Sequence, residues 1–144
     1  MSKQYDLERF VKMQERDYEM ALREIKNGRK QNHWIWYIFP QVKGLGMSYE
    51  ANYYGIEDVE EAKLYLEHEV LGKRLLEITR VLYELDSTDP RIVMDSGIDA
   101  MKLKSSMTLF DYVSGDETLF ADVLDKYYDG KKDYKTIKIL EQVK

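Results

Sequence analysis

The sequence predicts an all-α fold, a compact single-domain bundle of several helices over residues 1–144, with an irregular aromatic segment near residues 30–47. Three observations predict it. Apolar residues recur at three- and four-residue steps over most of the chain. Capping residues and glycines punctuate those stretches where helices should start and stop. The chain also offers no set of partner strands that could receive its one concentrated aromatic run.

Residues 6–27 read as a long amphipathic helix, with Leu7, Phe10, Val11, Tyr18, Ala21, Leu22 and Ile25 as its apolar stripe. Asp6 can cap its start, and Gly28 can take the left-handed conformation that ends it. Gln14 lies on the apolar face, where its amide is expected to bond a buried backbone group. The run His33-Trp34-Ile35-Trp36-Tyr37-Ile38-Phe39 carries no usable period, and Pro40 biases Phe39 towards extended backbone. A short buried helix or irregular segment is expected there, followed by a flexible Gly44-Leu45-Gly46 loop.

The remainder reads as helix. Ser48 caps a short one ending near Gly55. Asp58 with Glu61 resembles a capping box opening a helix from Val59 to about His68. Leu71, Leu75, Ile78, Leu82 and Leu85 mark another. Asp89-Pro90 is a cap followed by proline at the first helical position. Ile98, Met101, Ser105, Leu109 and Tyr112 form one stripe of the next helix, and Leu103, Met107, Phe110 and Val113 a second. Two stripes predict a helix buried on much of its circumference. Ser114 with Glu117 reads as a capping box for a helix running to Tyr128 and stopping at Gly130. Asp133 can cap the last helix, with Ile137 and Leu140 facing inward.

Composition narrows the chemistry. The chain has 27 acidic and 22 basic residues, a net charge of -5 and no cysteine. Disulfides, thiolate metal sites and cysteine nucleophiles are therefore excluded. The acidic balance argues against a protein that coats nucleic acid, which needs a basic face. Lys131, Lys132, Lys135 and Lys138 are the densest basic cluster, read either as solvated lysines or as a local phosphate site. The longest apolar run, Trp34 to Pro40, is far below the ~20 residues of a membrane helix. Met1-Ser2-Lys3-Gln4-Tyr5-Asp6 lacks the apolar core of a secretory signal. A cytoplasmic protein with no membrane partner is the simplest reading. Neither a metal site nor a cofactor is expected, since the two histidines, His33 and His68, are far apart. His68 sits at a helix end, where a cation would suit the dipole.

Two segments carry a chemical hint. In the first, the faces of Trp34 and Trp36 could stack a flat ring while Arg29 and Lys30 hold a phosphate. His33 and Gln41 bracket this run. The alternative is a hydrophobic plug. In the second, Lys102, Ser105 and Ser106 share a patch on one helix, with Asp99 one turn earlier. A lysine beside two hydroxyls is an anion grip, and Asp99 or His33 could handle protons. The alternative is an Asp99–Lys102 ion pair with the serines bonded to backbone carbonyls.

Asn27-Gly28-Arg29-Lys30, the run from His33 to Gln41 and Gly44-Leu45-Gly46 together resemble the first motif of a bacterial family of small domains of unknown function, family 1810. Asp99-Ala100-Met101-Lys102-Leu103-Lys104-Ser105-Ser106-Met107-Thr108-Leu109-Phe110 resembles its second. Ala62 to Leu66, His68 and Leu71-Gly72-Lys73-Arg74-Leu75 fit the stretch between, although Glu69 stands where the family usually has proline. The resemblance covers nearly the whole chain and implies a compact helical domain without supplying an activity. The label calpastatin, sometimes attached to such proteins, does not fit, because calpastatins are proline-rich and disordered and this chain has two prolines. A more distant likeness is to N-glycosidase-like domains linked to ADP-ribose and riboflavin intermediates.

Two functions follow as expectations. One is binding, or N-glycosidic hydrolysis, of a small phosphorylated nucleoside or ADP-ribose-type molecule. The other is a non-catalytic helical module whose motifs are core and whose function is a protein interface. Convergence of the two motifs on one open pocket favours the first; dry packing of both favours the second.

Overall fold

The computed structural model describes residues 4–142, and among them lie nine helices and no strand. They are α1 Glu8–Lys26, α2 Ile35–Ile38, α3 Tyr49–Tyr53, α4 Val59–Glu67, α5 Leu71–Glu84, α6 Pro90–Val93, α7 Gly97–Val113, α8 Leu119–Tyr128 and α9 Tyr134–Gln142. The all-α expectation holds.

Helix α7 is the hub, packing against α2, α4, α6, α8 and α9, while α5 joins α1, α4 and α8. Its Leu103, Met107, Leu109 and Phe110 are fully buried, so the hydrophobic effect holds it at the centre of the core. The first of the two expected stripes is corrected: Ile98 is 70% and Met101 57% exposed, so that edge of α7 faces outward at its N-terminal end. Helices α4 and α5 meet so closely that a Cβ on Gly72 would stand 2.0 Å from the Leu66 carbonyl oxygen.

Several caps form as the sequence predicts. The Ser48 hydroxyl accepts from the Ala51 N–H at 3.1 Å, Asp58 from Glu61 at 3.0 Å and Asp89 from Arg91 at 3.0 Å. Three expectations are corrected. Leu7, not Asp6, holds the N-cap position of α1 and makes no side-chain cap. Ser114 closes α7 rather than opening α8, because Gly115 at φ 61° turns the chain; α8 starts after Thr118. His68, the residue that closes α4, turns its ring to the start of α5. Its Nδ1 accepts from the N–H groups of Val70 and Leu71 at 3.1 and 3.2 Å and so caps the entry to α5.

Buried polar side chains tie α1 to the irregular segment. Gln14 donates to the Tyr37 carbonyl at 2.7 Å, as its place on the apolar face predicts. Arg9 donates to the carbonyls of Tyr53 and Gly55 and pairs with Glu61 at 2.9 Å. Two backbone bonds, Lys43 N–H to Ile56 at 2.8 Å and Ile56 N–H to Gln41 at 2.9 Å, form an isolated parallel bridge that fixes the Gln41–Gly46 loop. The close approach needs Gly55, whose Cβ would meet Lys43 Cβ at 2.7 Å.

Candidate functional site

The site begins with a residue that the sequence did not single out. Glu24, buried near the end of α1, accepts from the backbone N–H groups of Gln31 at 2.7 Å and Asn32 at 3.0 Å, and from Trp34 Nε1 at 2.9 Å. Burial pushes its pKa up, but these bonds and one from the Asn32 amide outweigh it and hold the carboxyl below its usual value. Glu24 thereby folds the Gln31–Trp34 turn back onto α1. Trp34 is fully buried and its indole N–H is spent on Glu24, so it is a core plug and presents no wall to a ligand.

Trp36 is half-buried, and Lys102 Nζ lies over its ring at 4.9 Å. Asp99 is flanked by two ammonium groups. Lys30 Nζ stands 2.9 Å from one carboxylate oxygen and Lys102 Nζ 3.9 Å from the other. Lys30, with 5% of its side chain exposed, also lies 5.1 Å from the Trp34 ring. The anticipated Asp99–Lys102 contact therefore exists, but Lys30 is the nearer partner. Asp99 joins the two motifs and is not an unengaged base.

Next to this bridge the two motifs open onto one groove of about 280 Å³. Gln41, Leu45 and Gly46 line it from the first motif, and Ile98, Met101, Lys102 and Ser105 from α7. Asp133 and Lys135, at the start of α9, complete it. Gly46 permits the loop to lie close, since a Cβ there would meet Ala51 Cβ at 2.8 Å. Ser105 bonds the Met101 carbonyl and one oxygen of Asp133 at 2.6 Å, and Thr136 donates to the same oxygen at 2.6 Å. The Asp133 N–H in turn donates to Thr108 Oγ1 at 2.9 Å. The second motif thus clasps α9 and brings its first turn to the groove.

The expected site residues divide clearly. Gln41, Lys102 and Ser105 line the groove, and Trp36 lies beneath Lys102. Ser106 is fully buried and its hydroxyl has no hydrogen bond among the described residues, so it faces the core rather than the groove. Arg29 pairs with Asp95 at 2.7 Å on the surface. His33 is exposed and lies outside the groove lining. Asp133 enters the sequence reading only as a helix cap, and Lys135 only as part of a basic cluster open to a phosphate. Neither carries a local sign that it joins the two motifs at one groove. Counting the charges in and beneath the groove, Lys30, Lys102 and Lys135 face Asp99 and Asp133, leaving one positive charge in a chain whose net charge is -5.

A family model described as "Protein of unknown function (DUF1810)" matches residues 4–140. A solved structure, the conserved hypothetical protein Rv1873 from Mycobacterium tuberculosis, is 40% identical, with a TM-score of 0.91 over 95% of this chain and 97% of that one. No curated protein matches the chain. The likeness to N-glycosidase-like domains has no support in these matches.

Proposed function

This chain belongs to the DUF1810 family of proteins of unknown function, and from the groove that its two long motifs build we propose that it binds a small phosphorylated nucleoside or ADP-ribose-type molecule. One observation carries the reading. Two motifs about 60 residues apart in the sequence meet at one open groove with apolar walls and a surplus positive charge. Leu45, Ile98 and Met101 supply a surface for a flat ring. Lys102, held on the Trp36 face, supplies the charge for a phosphate, with Gln41 beside it as a hydrogen-bonding amide. A mostly apolar cleft with a few convergent polar groups is the usual form of a small-molecule site.

The carboxylate of the expected chemistry moves to another residue. With Asp99 held by two lysines and His33 outside the groove, Asp133 is the carboxylate that lines the groove. Cleavage of an N-glycosidic bond at this site would draw on Asp133 to stabilise the developing oxocarbenium charge.

The test is a melting-temperature screen with nucleoside monophosphates and ADP-ribose, followed by chromatography for released base. A ligand at ~100 times its dissociation constant adds about 2.7 kcal/mol of stability. The same ligand should give a clearly smaller shift with Lys102→Met. The exposed Ile98 and Met101 also suit the second reading, in which a partner protein's apolar segment docks here. Absence of any shift across the screen would leave that reading in place of the first.

A further inference from the structure

We propose that the ligand of this groove carries two phosphate groups, the inner one held by Lys102 and the outer one by Lys135 with Lys138. This rests on the binding function proposed above and specifies its ligand.

The argument starts from room. At about 280 Å³ the groove is at the lower limit of small-molecule sites, roughly 300–1,000 Å³. A ring, a sugar and one phosphate fill it, and any further group extends over the rim. The rim is set by the first turn of α9, because Ser105 and Thr108 clasp Asp133 there. Lys135 lines the groove from that turn, and Lys138, three residues on, shares its helix face.

Charge then separates the two ends. Lys102 already lies 3.9 Å from Asp99, and Lys132, just before α9, pairs with Asp111 at 3.4 Å. Lys135 and Lys138 enter no ion pair among the described residues, and both are exposed. Asp133, which lines the groove with Lys135, has one carboxylate oxygen occupied by the hydroxyls of Ser105 and Thr136. Two uncommitted cations one turn apart on the open rim, beyond a cation inside the groove, match an anion extended by one phosphate.

Isothermal titration of the full chain with adenosine 5′-monophosphate and adenosine 5′-diphosphate, at low salt and without divalent metal, tests this. The diphosphate should bind about three- to tenfold more tightly, the gain expected of one exposed charge pair or two. In Lys135→Gln/Lys138→Gln that advantage should fall to about one. In Lys102→Met both nucleotides should weaken while the advantage persists. Both rim lysines are exposed, and unchanged circular dichroism will confirm that the double variant is folded. Equal affinity for the two nucleotides overturns the second phosphate and leaves the binding function standing. An advantage that survives the double substitution also overturns it. Failure of both nucleotides to bind overturns this inference together with the function on which it rests.

Discussion

Lys30 and Asp99, 69 positions apart in the sequence, form an ion pair of 2.9 Å with only 5% and 18% of their side chains exposed. It joins the first motif to α7 beside the groove. Lys102 touches the same carboxylate from 3.9 Å, on the more exposed side. Two lysines on one aspartate therefore have different tasks, one structural and one facing the groove.

That division predicts unequal variants. Lys30→Met removes the near, buried partner and should cost towards the lower end of about 3–5 kcal/mol, because Lys102 remains to share the carboxylate. Lys102→Met leaves Asp99 paired with Lys30 and should change stability by less than about 1 kcal/mol. Urea unfolding of both variants checks this, and equal costs would contradict it.

Acid should loosen the first motif. Glu24 and Asp17 both hold their protons less tightly in the folded chain. For Glu24, burial opposes the effect and the bonds from Asn32, Gln31 and Trp34 outweigh it. For Asp17 the main cause is Arg16, with burial opposing and Tyr37 assisting. Carboxyls with lowered values stabilise fully above their unfolded pKa of about 4, and that stability is lost as the pH falls through the folded values. Glu24→Gln should lower stability at neutral pH and flatten the fall below pH ~4 in a pH series of unfolding midpoints. A variant with an unaltered acid limb would count against this account.

The two tryptophans should separate. Trp34→Ala opens a cavity in the core and strips Glu24 of a donor, at about 3–5 kcal/mol. Trp36 is half-buried, so Trp36→Ala should cost less than Trp34→Ala, while disturbing the seat of Lys102 and weakening ligand. Comparing unfolding midpoints with nucleotide affinity for each variant reads both effects.

Gly72 lies inside α5, where alanine is ordinarily better by about 1 kcal/mol. Here the new methyl would meet the Leu66 carbonyl oxygen at 2.0 Å, so α4 and α5 must part. Gly72→Ala should therefore destabilise, by about 1–3 kcal/mol. A stabilised variant in thermal unfolding would show that the two helices do not meet as described.

Most of the helices are legible because their signals are local. Ser48, Asp58 and Asp89 cap where the sequence places them, and the left-handed turn at Gly28 follows α1 as expected. Ser114 misled because a serine followed by glutamate also fits a helix end, and the deciding residue was Gly115. Ile98 and Met101 misled for a different reason: periodicity finds an apolar face but not what it faces, and theirs lines a groove. The candidate site was half legible. Gln41, Lys102 and Ser105 sit inside recognisable motifs, whereas Asp133 reaches Ser105 across 28 positions through a helix–helix clasp that no local pattern encodes. Arg29 and His33 lay beside the aromatic run in the sequence, yet Glu24 turns that stretch so that both point to solvent.

The groove itself is best tested by residue. A heteronuclear NMR titration of the full chain with adenosine 5′-monophosphate follows every backbone amide at once. The account predicts saturable shifts confined to residues 41–46, 98–105 and 133–135. Shifts that gather instead around Arg9 and Tyr53, or no shift at millimolar nucleotide, would contradict it.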